Sequence, residues 1–318
     1  MNLPLLIQNL TNPAFLFFLL GILSVKLKSD LAIPDSISKF ISLYLLFSIG
    51  FKGGQELSHE TFSIEIGLSM LFGIGLSFII PWYTFFMLKS KVGIYNAGAI
   101  AAAYGSVSAV TFVTAVAYLE NLHLVFKGHM VAMMALMESP AIISGLLLIS
   151  FYTRQETKSS KTWEVIKHSF TNGSVVLILG SLTIGYFANA QQAEGIKPFT
   201  NDIFKGFLAL FLLDMGIESG KKLDAFLGQG WYLILFAIAV PLFNGTIVAI
   251  SSQYITHDVS SRFIFAILAA SASYIAVPAA MKIAVPQANP GLFLPMALAI
   301  TFPVNITLGM PIYYALVQ

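Results

Sequence analysis

The chain has 318 residues, of which 57% are hydrophobic and 10% charged, and its mean hydropathy is +0.82. Ordinary soluble domains carry about a quarter charged residues, so this composition excludes one and points to the bilayer. The net charge of +2 gives no case for nucleic acid as a partner, and zero cysteines exclude disulfides, thiolate metal sites and a cysteine nucleophile.

The apolar runs are apolar on every side, without the two-residue alternation of a barrel strand, so they specify membrane-spanning α-helices. The first, "NPAFLFFLLGILSVKL", lacks a charged leader and a small-residue cleavage site, and reads as a span that is retained. In chain order the pattern predicts spans near residues 13–26, 36–52, 63–88, 93–119, 128–152, 170–188, 203–219, 229–254, 262–285 and 291–316. The shortness of the first run leaves nine or eleven open. The polar stretch "TRQETKSSKTWEVIKHS" at 153–169 divides the chain nearly in half and reads as a cytoplasmic linker.

Lysine and arginine near span ends set the orientation. With the N-terminus outside, Lys26, Lys28, Lys39, Lys89, Lys91, Arg154, Lys158, Lys161, Lys167, Lys221, Lys222 and Lys282 face the cytoplasm, leaving Lys52, Lys127, Lys197, Lys205 and Arg262 on the other side. Both termini are therefore expected outside, in a multi-pass protein of the cell (inner) membrane.

The two halves resemble each other. "SIGFKGGQEL" (48–57) lies over "DMGIESGKKL" (214–223), and at the same offset "GSVS" (105–108) lies over "SASY" (271–274); nearby, Pro140 of "MESPAII" falls on Pro303 of "ITFPVNI". Five spans per half make the second half inverted relative to the first. The expected division is a first repeat at 1–152, the linker at 153–169 and an inverted second repeat at 170–318, the design of many secondary transporters.

The polar clusters "YGSVS" and "SASY" lie near the midpoints of the fourth and ninth spans, with Pro278 following the second. A helix break at that depth is tolerated only where protein, water or ligand satisfies the freed backbone groups. The amides that begin each second half-helix carry about half a positive charge, so two crossing breaks can hold an anion without a basic side chain. Hydroxyls and free carbonyls there can ligate a small hard cation such as Na⁺. The competing reading is that Ser and Gly pack apolar helices closely. Glu138 and Asp214 fall within or near the ends of apolar runs, where an unpaired carboxylate is costly, and both suggest cation coupling. Asn305 reads as a helix-packing group. The five histidines have no metal-ligand spacing, and "SHETF" is not HExxH.

These segments resemble the sodium-dependent bicarbonate symporters, the SbtA-like membrane proteins. The family's VSG-S-T, M-D-I-P and S-S-D-I-S-G-P-P…I-P-S-A-N-P elements correspond to "VSAVT" (107–111), "MESP" (137–140) and "SASYIAVPAAMKIAVPQANP" (271–290). The resemblance implies ten spans in two inverted five-helix repeats, a moving core against a static gate, trimers, and bicarbonate and Na⁺ held where two broken helices cross. It makes Gly105, Ser106, Ser108, Ala109, Ser273, Tyr274 and Ile275 the candidate substrate-binding residues and Thr111, Glu138, Ser271 and Asp214 the candidate ion-coupling ones, with Na⁺ at Ser108, Thr111, Glu138 and Ser271.

The departures mark a divergent branch. Tyr274 stands where relatives have Asp, Val277 replaces a Gly, Ala109 and Val110 replace a Gly and a Ser, Glu138 replaces Asp, and Asp214 occupies an apolar position. The linker is shorter than in the cyanobacterial symporters, which leaves a PII-like regulatory partner open. The expected activity is Na⁺-coupled symport of a small monovalent anion such as bicarbonate, without a cofactor beyond the coupling ion and with membrane lipid as surroundings. Proton coupling, another small solute, and a channel or sensor on the same fold are the alternatives. No GxSxG or HExxH element supports an enzyme.

Overall fold

The structure, a computed structural model, describes residues 13–153, 171 and 173–318. Nearly all of the expected linker, 154–169, lies outside the described residues. Every regular element among them is helical: α1 Pro13–Lys26, α2 Asp35–Ser58, α3 Ile64–Val92, α4 Ile94–Gly105, α5 Ala109–Asn121, α6 His129–Thr153, α7 Gly173–Phe187, α8 Ala190–Lys197, α9 Phe204–Leu227, α10 Trp231–Ser251, α11 Val259–Ala270, α12 Ala276–Ala284 and α13 Pro290–Val317, the last containing π-helical turns.

Among the described residues, five segments are long and apolar enough to cross a membrane: α3, α4 with α5, α6, α10 with the 3₁₀ turn after it, and α13. Helices α1, α7 and α11 are apolar but shorter. At 1.5 Å per residue the 14 residues of α1 reach about 21 Å, less than a hydrocarbon core of about 30 Å. Helices α2 and α9, with 24 residues each, run past the apolar windows predicted for them. Hydropathy follows the bilayer, whereas helical hydrogen bonding continues through the polar interface. Helix α8 occupies a stretch read as loop; its Asn189–Gln192 capping box closes both ends of the first turn at 2.9 and 3.0 Å.

The helices pack as two sets. In one, α1 lies along α9 and α2 along α7, each pair running in the same direction. Small residues make both crossings: Gly21 faces Gly216, and Gly54 faces Gly185, so closely that a Cβ on any of the four would meet a backbone carbonyl of the opposite helix. Tyr44 and Phe40 of α2 pack against Phe207 of α9, tilted and edge-on respectively, and join the two pairs. In the other set α3 packs on α4 and α6, and α10 packs on α11 and α13. Its centre is an alanine-rich layer: Ala99, Ala101, Ala102 and Ala103 of α4 and Ala266, Ala269 and Ala270 of α11 are all buried.

A side chain at these crossings must push two backbones apart. Gly216→Val is expected to destabilise the protein by more than the about 1–3 kcal/mol of ordinary overpacking, because the obstacle is the Phe18 carbonyl and not a movable side chain. Gly180→Ala, which meets nothing within 4 Å, is expected to be neutral. Thermal unfolding of the detergent-purified variants checks both.

Candidate functional site

Helix α4 stops at Gly105 and α5 starts at Ala109; α11 stops at Ala270 and α12 starts at Ala276. The interruptions fall where the sequence places its polar clusters, and the two breaks satisfy each other. The Ser273 amide donates to the Ala103 carbonyl at the end of α4 (2.8 Å), and the Ser108 amide donates to Ser271 Oγ (3.0 Å). At the end of α11, three successive carbonyls are each capped by a side chain: Leu268 by Ser271 Oγ (3.0 Å), Ala269 by Asn244 Nδ2 (3.3 Å) and Ala270 by Asn305 Nδ2 (2.7 Å). The cost of stopping a helix in a dry interior is thereby met by protein.

The restarting ends are treated differently. Ser108 Oγ caps α5 by accepting from the Thr111 amide (3.1 Å), and Ser273 Oγ accepts from the Val277 amide (3.3 Å). The amides of Ala109, Val110 and Ala276 have no acceptor among the described residues. Pro278 sits in the first turn of α12, where its missing N–H costs nothing. Both half-helices thus present free donors and the positive ends of their dipoles.

These ends line a cleft of about 520 Å³, its open mouth included. Its walls are Val107, Ser108 and Ala109 from the first break, Ser273, Tyr274, Ile275 and Ala276 from the second, Met134, Ala135 and Glu138 of α6, and Leu46, Ser174, Val175 and Ile178 of α2 and α7. The cleft therefore lies between the two helix sets. No lysine or arginine lines it, and Glu138 is its one ionisable carboxylate, with no ion-pair partner among the described residues.

Of the residues singled out from sequence, Ser108, Ala109, Glu138, Ser273, Tyr274 and Ile275 share this cleft. Gly105, Ser106, Thr111 and Ser271 are buried at the breaks without lining it. Gly105 packs under the Pro81 ring, and the Ser106 hydroxyl has no partner among the described residues. Asp214 lies apart, buried on α9, and accepts a hydrogen bond from the Ser38 hydroxyl of α2. It lines a second, wider cleft of about 1030 Å³ with Asp35, Lys39, Glu218 and Lys222, which meets the first at Ser174, Tyr274 and Ile275. The Tyr274 hydroxyl donates to Met215 Sδ at 3.8 Å. Sequence reasoning missed Leu46, Val107, Met134, Ala135, Ser174, Val175, Ile178 and Ala276. Val107 lies within the cluster already read as a break, and the rest apart from Ser174 are apolar residues in or beside apolar runs, where nothing distinguishes a pocket wall from a lipid face.

A polytopic helical membrane protein with a small, partly apolar cleft between two interrupted helices has the build of a transporter. A family model described as the Na⁺-dependent bicarbonate transporter superfamily matches residues 13–318. The chain belongs to that family, as the resemblance of its motifs implied. Among curated proteins, none matches the chain.

Asn305 read as packing glue from the sequence, and its contacts make it the cap of α11. Asn305→Leu keeps the branched heavy-atom skeleton but strands the Ala270 carbonyl, and the expected loss is at least about 1–3 kcal/mol. Chemical denaturation of the purified variant measures it.

Proposed function

We propose that this protein is a secondary active transporter that carries a small monovalent anion, bicarbonate first, together with Na⁺. The observation that carries this reading is the cleft where the free amides of α5 and α12 converge with one carboxylate and no basic side chain. Two half-helix N-termini supply about one positive charge between them, enough for a monovalent anion and too little for a di- or tricarboxylate. Glu138, unpaired in its wall, is the group a cation would neutralise, and Ser108, Thr111 and Ser271 supply hydroxyls close by along the same breaks. Tyr274, standing where relatives have a carboxylate, offers a hydroxyl that can donate to the anion but cannot neutralise Na⁺. Coupling therefore rests on Glu138.

The architecture proposed with it is ten spans in two inverted five-helix repeats. The pairing of α1 with α9 and of α2 with α7 supports it: in each case the first helix of one half lies along the second helix of the other. The set holding α1, α2, α7 and α9 is assigned the static gate, and the set holding both breaks the moving core, with the site on the boundary. The homotrimer rests on the family resemblance, and the inner-membrane location with both termini outside rests on the lysine and arginine asymmetry.

The test is uptake of labelled bicarbonate into proteoliposomes with and without an inward Na⁺ gradient. Gradient-driven, saturable uptake is expected, and uptake indifferent to Na⁺ would overturn the coupling. Glu138→Gln is expected to lower the Na⁺-driven rate about tenfold or more, the scale of about 1.4 kcal/mol, while the protein stays folded. Asp214→Asn separates two roles: an ion-coupling aspartate would lose the gradient response, whereas a fixed tie to Ser38 would lose stability and keep transport per folded molecule.

A further inference from the structure

The cleft at the breaks is larger and less polar than a bicarbonate ion alone requires. Nine of its fourteen lining residues carry apolar side chains, and its volume of about 520 Å³, open mouth included, lies in the range of pockets that enclose whole organic ligands. The polar groups are gathered on one side. The free amides of Ala109 and Ala276 and the hydroxyls of Ser108 and Ser273 belong to the breaks, and Glu138, without an ion-pair partner among the described residues, faces the same cleft from α6. The wall that α2 and α7 contribute is Leu46, Val175 and Ile178 with one serine, Ser174. Leu46, Val175 and Ile178 are all buried, so they belong to the interior of the cleft and not to its mouth.

The two sides suit different parts of a bound anion. Oxygens that reach the amides of Ala109 and Ala276 are satisfied there, whereas whatever the anion turns toward Leu46, Val175 and Ile178 meets hydrocarbon. Bicarbonate has oxygen at every corner, so its third oxygen must find one of the few hydroxyls on that side, Ser174 or Tyr274, to escape the cost of an unpartnered polar group. A carboxylate has oxygen at one end only. Seated with that end on the amides, it turns its alkyl chain to the apolar wall, where each buried methylene adds affinity.

We propose that the site takes short-chain aliphatic monocarboxylates, acetate to butyrate, held by the carboxylate on the amides that open α5 and α12 and by the alkyl chain on Leu46, Val175 and Ile178. The seat on those amides rests on the function proposed above; the alkyl contact is independent of whether bicarbonate is carried. The charge is the same single negative one, so a cation at Glu138 balances it as it would balance bicarbonate. A second carboxylate on the chain would meet either the apolar wall or Glu138, with no basic side chain in the cleft to receive it.

Competition against labelled butyrate on the detergent-purified protein in Na⁺ tests this without transport. Formate, acetate, propionate and butyrate are expected to displace the label in that rising order, with about a fourfold gain per methylene from acetate to butyrate. Butyramide, of equal length and without charge, is expected to compete at least about tenfold less well than butyrate. Val175→Thr keeps the shape of the wall and adds a hydroxyl, and is expected to cut the gain from acetate to butyrate by about fourfold. No binding of butyrate, a flat or reversed order, butyramide equal to butyrate, or an unchanged gain in folded Val175→Thr would overturn the proposal; the order in the native protein decides even where that variant does not fold. Na⁺-driven bicarbonate uptake untouched by butyrate would remove the monocarboxylates and leave the proposed function standing. The expected order in a protein that moves no bicarbonate in proteoliposomes would remove that substrate and leave the carboxylate site standing.

Discussion

A helix that stops in the middle of a bilayer leaves carbonyls and amides that lipid cannot solvate, and the arrangement of this protein turns on how those groups are met. On the carbonyl side they are met completely enough to fix the geometry: the Ala103 carbonyl takes the Ser273 amide, and the Leu268, Ala269 and Ala270 carbonyls take Ser271, Asn244 and Asn305. Each break supplies a donor or an acceptor to the other, which ties their positions together. On the amide side the accounting is left open, and that openness is what a ligand can use. The same breaks that join the two half-helix pairs also leave the free donors of the candidate site.

Close backbone approach is the second requirement, and it is unevenly distributed. Glycine crossings lock α1 to α9 and α2 to α7, where removal of side chains lets dispersion act between main chains. Between the two sets, larger side chains face each other around a cleft, Leu46, Val175 and Ile178 on one side and Met134 and Ala135 on the other, and one close backbone approach is made where Gly128 meets Gly53 and Leu57. The boundary between the sets is therefore mixed, close at one glycine contact and open at the cleft. Two polar ties join the sets at the C-terminal end of α2, Lys52 with Glu120 and Glu60 with His129.

The substitutions that separate this chain from its relatives acquire a physical meaning in this setting. A phenol at 274 puts bulk and one hydroxyl between the site and the wider cleft, where a carboxylate would put charge. Asp214, on the set with the glycine crossings, bonds to Ser38 within that same set. Charge is thereby moved off the breaks and onto a flanking helix, leaving Glu138 as the carboxylate in the cleft.

The sequence by itself determined the helical membrane class, the family, the approximate place of most of the apolar helices and the positions of both breaks, because each leaves a local mark. Apolar runs contrast with polar connectors, and "GSVS" and "SASY" stand out against alanine and isoleucine. Six of the residues read as site residues share the cleft for the same reason: Ser108, Glu138, Ser273 and Tyr274 are polar where polarity is costly, and Ala109 and Ile275 adjoin them. What only the tertiary structure decided are relations between distant segments that carry no such mark. Leu46, Met134 and Val175 become cleft walls and not lipid contacts through the packing of α2 and α7 against α6, and an apolar side chain looks the same in either place. Asn305 becomes a cap because Ala270 lies opposite it, and His129 becomes a hydrogen-bond partner of Glu60, at 2.6 Å, where Gly53 and Gly128 bring their segments together. Polarity is written residue by residue, whereas a partner is set by the path of the whole chain.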